Sequence, residues 1–338
     1  MKRYVTLLLV LLLALPGLAL AAKTPGASKI YFRVGNTTDA TGIATQPGTV
    51  LAGGGTDVDA AFKWLCGRAV GGDFLVIRAT GTDAYNRYVQ RLCPGLNSVA
   101  TLIVASTADA NSTLVSDAIR DAEVVWIAGG DQSLYITYWK GTSVQAQLDT
   151  HIAAGEPIGG TSAGMAVLTQ FIYPAFGAQG ATSSETLANP FNQWVMLERD
   201  FVDIAALADT ISDTHFVTRD RMGRTLGFMC RLSAANWTNR PRSIAADEGA
   251  ALLIDGLGKG TIVANPKTLG RVYFIAGGAP EVCQQGAPLT YRNVGVRRFG
   301  AGATNIDVAR WPAAGGTAYT VTAEAGVLSS TQAGGSVY

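Results

Sequence analysis

The chain has 338 residues, 48% of them hydrophobic, and a formal net charge of +1. That is enough apolar material for a large core, in one big domain or two small ones. The charge is balanced and no basic block stands out, which argues against a nucleic acid or an acidic polymer as partner.

The opening stretch, MKRYVTLLLVLLLALPGLALAA, reads as a secretory leader over 1–21. Lys2 and Arg3 give a basic start, 5–13 an apolar core, and Ala19-Leu20-Ala21 a small-residue site for cleavage near Ala21. A membrane anchor is the alternative. Pro16 and Gly17 break the run, which is shorter than the ~20 apolar residues a span needs. No other segment reads as a span, so the processed chain is expected to be secreted or periplasmic and to have no contact with a membrane. The remainder, 22–338, reads as a single α/β domain with a core at about 47–255 and a β-rich extension at about 256–338. It shows no internal repeat and no long linker.

Between 50 and 168 short apolar runs alternate with amphipathic stretches. TVLAGGG precedes TDVDAAFKWLCGRA, DFLVIRA precedes TDAYNRYVQRL, SVATLIVAS precedes TLVSDAIRDA, and EVVWIAGG precedes SLYITYWKG and VQAQLDTHIAAG. Short apolar runs suit buried parallel strands and the longer stretches have helical spacing. Repeated strand–helix units of this kind predict a doubly wound, mostly parallel α/β sheet. Several of the runs end in glycine, which places those loops along the carboxyl edge, where such sheets put their sites. Beyond Ala250 the texture changes: ALLIDG, KGTIVA, RVYFIAGG and TAYTVTAEAG predict short strands, and the glycine-rich stretch 326–338 is expected to fray.

The four cysteines allow three pairings in an oxidising compartment. Cys66 with Cys93 and Cys230 with Cys283 is preferred, because each pair stays within one half of the chain. There is no CxxC pair and histidines are scarce, so no zinc site is expected.

After the run ending at Ile158, Gly160-Thr161-Ser162-Ala163-Gly164 matches G-x-S-x-G. A nucleophile on a tight strand-to-helix turn adopts a strained backbone, so its neighbours are small, and the following helix aims amides at the site. Met165-Ala166-Val167-Leu168 continues as a buried helix. The motif is only moderately specific in a chain with 40 glycines, and an ordinary βα turn is the competing reading. A serine nucleophile also needs a base, and the chain holds two histidines. His151, in QLDTHIAAGEP, reads as a surface residue on the helix leading to the serine strand. His215, in SDTHFVTRDRMGR, stands among Asp213, Asp220, Arg219, Arg221 and Arg224. Phe216, Val217 and Met222 argue against a merely solvated charged helix there. In SIAADEGAALLI, Asp247 and Glu248 interrupt two apolar runs, and buried carboxylates are costly unless partnered.

Taken together, GGTSAGM, DTHF with its downstream arginines, and DEG resemble cyanophycinase and its relatives in the same serine peptidase family, which is also similar to aspartyl dipeptidase. LAGGGTDVDAAFKWL and IAGGDQ fall in the same order, and the likeness covers roughly 50–254. It implies a core like the class I glutamine-amidotransferase fold, with Ser162 as nucleophile, His215 as base and Glu248 orienting the histidine. It further implies Gly130 and Ala163 as oxyanion-hole amides, and Gln132, Asp213, Thr214, Arg219, Arg221 and Arg224 as substrate-pocket residues. The substrate so implied is cyanophycin, a poly-aspartate carrying arginine on its β-carboxyls, cut to β-Asp-Arg dipeptides. No metal or other cofactor is implied, and a homodimer is. Two positions depart from the pattern: Thr214 replaces the usual glutamine before the histidine, and Met165 a small residue after the elbow. These leave room for a peptidase acting on other aspartyl or isoaspartyl peptides. A non-catalytic secreted binding protein is a third alternative, which a serine, a histidine and a glutamate in this order argue against.

Overall fold

The structure is a computed structural model that describes residues 30–177 and 179–338, so the leader expected at 1–21 lies outside the described residues. After an edge strand β1 (Tyr31–Gly35) come β2 (Gly48–Ala52), α1 (Asp59–Cys66), β3 (Asp73–Arg78), α2 (Ala84–Leu92) and β4 (Ser98–Ile103). The chain continues through α3 (Thr107–Ala110), α4 (Thr113–Arg120), β5 (Val124–Ile127), α5 (Gln132–Trp139), α6 (Ser143–Ala153), β6 (Ile158–Thr161) and a one-turn α7 (Ala163–Ala166). Strands β4, β3, β5, β6 and β2 lie side by side in that order and all parallel.

Successive residues of a strand face opposite sides, and here both sides are covered. Val50, Phe74, Val76, Val99, Val124 and Trp126 pack with Phe62, Leu65 and Val89 of α1 and α2. Leu51, Leu75, Ile77, Leu102, Val125 and Ile127 pack with Val115, Ile119, Trp139, Val144 and Leu148 of α4, α5 and α6. Burial on two faces is why these strands read as unbroken apolar runs, and the doubly wound core is as the sequence predicts. Side chains start the helices locally: Ser112, Asp131 and Thr142 accept from Val115 N, Ser133 N and Val144 N.

The second half holds β7 (Phe171–Ile172), α8 (Ser183–Ala188), β8 (Glu198–Arg199), β9 (Thr210–Asp213), α9 (Met222–Ala234), β10 (Arg242–Ala246) and β11 (Ala250–Asp255). Then follow β12 (Lys259–Ala264), β13 (Val272–Ala276), β14 (Tyr291–Phe299), β15 (Ile306–Asp307), β16 (Thr317–Glu324) and β17 (Val327–Ser330). Antiparallel β11, β12 and β15 extend the first sheet beyond β2. The others form a second sheet, ordered β17-β16-β14-β13-β10-β9-β7-β8. The β-rich C-terminal part is therefore shared between two sheets, which meet through Ile244, Ala246, Val272 and Phe274 on one side and Leu252, Ile254 and Ile262 on the other.

The stretch 326–338 is ordered, contrary to expectation. β17 pairs with β16, and Tyr338 packs into the aromatic cluster of Phe216 and Tyr273. Glycine content predicts fraying only where no neighbour supplies ladder bonds and ring contacts. The cysteines pair as preferred, Cys66 with Cys93 and Cys230 with Cys283, at Cα separations of 6.1 and 5.9 Å. No helix among the described residues is long and apolar enough to cross a membrane.

Candidate active site

The carboxyl end of β2 organises the centre. Its last carbonyls receive three segments distant in sequence: Ala52 O accepts Ser162 N at 3.0 Å, Gly53 O accepts His215 N at 2.8 Å, and Gly54 O accepts Gly249 N at 2.9 Å. Three chain segments thus converge on three successive peptide units.

Ser162 follows β6 directly, with φ 52° and ψ −116°, backbone that a non-glycine residue holds only under constraint from its surroundings. The constraint comes from packing. A side chain at Gly164 would run into Ile127 O at the end of β5, so α7 lies closer to the sheet than any other residue there allows. The helix is a single turn rather than the longer one expected. Its Met165, one of the two departures from the family pattern, is fully buried in the core.

Ser162 Oγ lies 2.7 Å from His215 Nε2, and His215 Nδ1 lies 2.5 Å from Glu248 Oε1. With Nδ1–H donating to the carboxylate, Nε2 is the free acceptor for the serine hydroxyl. Gly54, at φ +100°, backs the imidazole: a Cβ there would stand 2.5 Å from His215 Cε1 and 2.6 Å from Nε2. Glu248 occupies the turn where the chain crosses from β10 to β11, hence from one sheet to the other. Burial holds the His215 pKa below the ordinary histidine value; the bond to Glu248 opposes this, and the cations Arg219 and Arg221 reinforce it. The ring is neutral near pH 7 and able to take a proton.

Asp247, the other carboxylate of the DEG turn, does not face the imidazole. Its Oδ1 accepts from Val217 N, Thr218 N and Thr218 Oγ1 at 2.9–3.1 Å, tying down the turn that follows His215. Gly129 and Gly130 follow β5 beside the serine, a Cβ at Gly129 lying 3.5 Å from Ser162 Cβ. Gln132, on the first turn of α5, donates to Tyr173 O at 3.4 Å.

The expected pocket residues divide. Arg219 is exposed, its Nε 3.9 Å from Glu248 Oε1. Arg221 is largely covered and donates through Nη1 to Thr214 O at 2.8 Å and Thr214 Oγ1 at 3.1 Å. Asp213 and Arg224 lie in the interior rather than on a pocket wall. Arg224 Nη2 and Nε meet the two Asp213 oxygens at 2.5 and 2.8 Å, and Thr225 Oγ1 adds 2.8 Å. Burial alone raises the Asp213 pKa, but Arg224, Arg221 and Thr225 outweigh it and hold the carboxyl below its ordinary value. The sequence shows charges clustered around His215 without showing which of them neutralise each other.

His151 sits on α6 as expected but is buried, not on the surface. Its Nε2 lies 3.1 Å from Pro157 O and its Nδ1 2.7 Å from Glu156 Oε2. The tight turn from α6 into β6 folds the chain back over the ring and covers it.

A cleft of about 800 Å³ lies at the other end of the parallel strands, where Thr49 and Ile158 stand, away from Ser162 and His215. Among the described residues no cluster of three or more His, Cys, Asp or Glu side chains is arranged to hold a metal ion. The residues missed in the sequence are Gly53 and Gly54 as anchors and Asp247 as a tie. The LAGGG run was visible, but its partners lie more than a hundred residues away in sequence.

No curated protein matches the chain. Among solved structures it is similar to a peptidase from an acI-B1 Actinobacterium, at 16% identity and TM-score 0.48 over 77% of this chain and 97% of that one. It is also similar to a putative Peptidase E protein from Listeria monocytogenes EGD-e, at 16% identity and TM-score 0.41 over 66% of this chain and 100% of that one. The sequence model of peptidase family S51 matches residues 57–221, a stretch that includes Ser162 and His215 and ends before Glu248. Over that stretch, just under half of its length, the chain is similar to peptidase family S51, and it is a serine-type peptidase.

Proposed function

We propose that the chain is an exported serine exopeptidase of the cyanophycinase type, releasing β-Asp-Arg dipeptides from cyanophycin. The observation that carries this reading is the unbroken hydrogen-bonded line from Ser162 Oγ through His215 to Glu248. Ser162 Oγ attacks the scissile carbonyl carbon while its proton passes to His215 Nε2, and Glu248 steadies the imidazolium that forms. The oxyanion is met by the amides of Gly130 and Ala163, each worth about 3 kcal/mol in comparable hydrolases. His215 then protonates the leaving amine. Water, deprotonated by the same ring, cleaves the acyl-enzyme to a carboxylate and frees Ser162. This sequence of steps calls on no cofactor.

Arg219 and Arg221 beside the histidine suit carboxylates of an aspartyl substrate, and Gln132 suits a guanidinium. A second reading, action on other aspartyl or isoaspartyl peptides, is favoured by Thr214. Its hydroxyl is taken up by Arg221 where cyanophycinases carry glutamine.

The test is clearance of a cyanophycin suspension, with the released dipeptide weighed by mass spectrometry and small β-aspartyl dipeptides run alongside. Ser162→Ala is expected to abolish turnover with the fold intact. Glu248→Gln should lose about 10³- to 10⁴-fold and Asp247→Asn much less. Retained activity in Ser162→Ala overturns the mechanism. Cleavage of the small dipeptides without clearance selects the second substrate reading.

A further inference from the structure

Tyr338 reaches the turn that carries His215 from the far end of the sequence. Beyond β17 the chain doubles back, with Thr331 N bonded to Thr320 O and Tyr319 Oη donating to Val337 O. The Tyr338 ring meets Phe216 edge-on, with centroids 5.5 Å apart. Its hydroxyl accepts Met222 N–H at 2.9 Å and donates to Asp220 Oδ1 at 2.7 Å. Met222 opens α9, and Arg221 at the N-cap supplies no side-chain acceptor, so Tyr338 Oη satisfies an amide that a helix start leaves without a partner.

The turn 215–221 needs such anchors. His215 and Asp220 both sit at positive φ, 47° and 48°, which non-glycine residues hold only where surrounding contacts over-determine them. Gly53 O and Asp247 hold the His215 end. Tyr338 and the Ser183 hydroxyl, which donates to Asp220 O, hold the other. Arg219 and Arg221 stand between the two.

We propose that Tyr338 is a positioning residue for the hydrolytic centre: by capping α9 and holding Asp220 it fixes the turn that sets His215, Arg219 and Arg221 against Ser162. This rests on the reading of Ser162, His215 and Glu248 given above.

The experiment follows labelling of the full chain by a fluorophosphonate probe as a function of pH, together with thermal melting. Tyr338→Phe keeps the ring contacts and removes both hydrogen bonds. It should slow labelling about tenfold, since small misplacements of a reacting group are costly. The groups facing His215 are Glu248, Arg219 and Arg221. Loosening the turn takes the two cations away, so the acid limb should rise by roughly a few tenths of a pH unit. Tyr291→Phe is the control. It loses one tyrosine hydrogen bond, to Gly278 O at 2.7 Å, outside the centre, and should lower Tm to a similar degree with wild-type rate and limb. Tyr338→Phe behaving like this control, lower in Tm alone, overturns the proposal. Wild-type protein that takes no label at Ser162 overturns the triad reading instead.

Discussion

The protonation state of His215 is where residue chemistry becomes measurable. Burial disfavours the imidazolium, and Arg219 and Arg221 add to that, so the folded pKa lies below the ordinary 6.5 in spite of Glu248. In the proposed mechanism His215 is the base and must be neutral to act, so activity should persist below pH 6.5 and fall only as pH drops through the depressed value. Arg219→Gln removes one of the opposing cations and is expected to move the acid limb of kcat/KM upward by roughly a few tenths of a unit. The shift should shrink with added salt, because Arg219 is exposed. An unmoved limb would mean that the Arg219 charge does not reach the ring. Of these residues, Ser162 and His215 were legible as candidates, one by its motif and the other by scarcity. The bond between them was not legible, since 53 residues separate them.

Among the elements, the carboxyl end of β2 matters most. Backbone carbonyls of Ala52, Gly53 and Gly54 anchor the serine, histidine and glutamate segments in turn, and the bare face of Gly54 leaves room for the imidazole. Gly54→Ala puts a methyl group within 2.5 Å of His215 Cε1, so the ring has to move. A loss of about 10²-fold or more in kcat/KM is expected, the scale that a 1 Å misplacement costs. Circular dichroism should show an unchanged fold. Wild-type kinetics in this variant would remove β2 from the account. The strand–helix alternation that builds β2 to β6 was legible because each unit is local and periodic. Their lateral order was not, and that order puts β2 beside β6 and so brings Gly54 near Ser162.

For the whole molecule, stability and site are joined through the interior pair of Asp213 and Arg224. Asp213 ends β9 two residues before His215, and Arg224 lies on α9, so the pair fastens helix to sheet next to the imidazole. Asp213→Asn leaves the buried guanidinium without its charge partner, at an expected cost of about 3–5 kcal/mol in urea unfolding. The folded pKa of Asp213 lies below its ordinary 3.8, so its contribution is present above that value and is lost as pH falls through the folded one. A cost within experimental error would show that the pair adds nothing net. The two disulfides close loops of 27 and 53 residues and contribute about 3.5 and 4 kcal/mol in the chain-entropy account. The sequence by itself determined the α/β core and the strained serine turn, because periodicity and turn chemistry act over short distances; for the cysteines it set a preference among three pairings. Only the tertiary structure decided that the C-terminal strands divide between two sheets and that Glu248 rather than Asp247 meets the imidazole. It alone buried Asp213, Arg224 and His151 and brought Tyr338 to the histidine turn. Those outcomes depend on which distant strands lie side by side, and no local pattern specifies that.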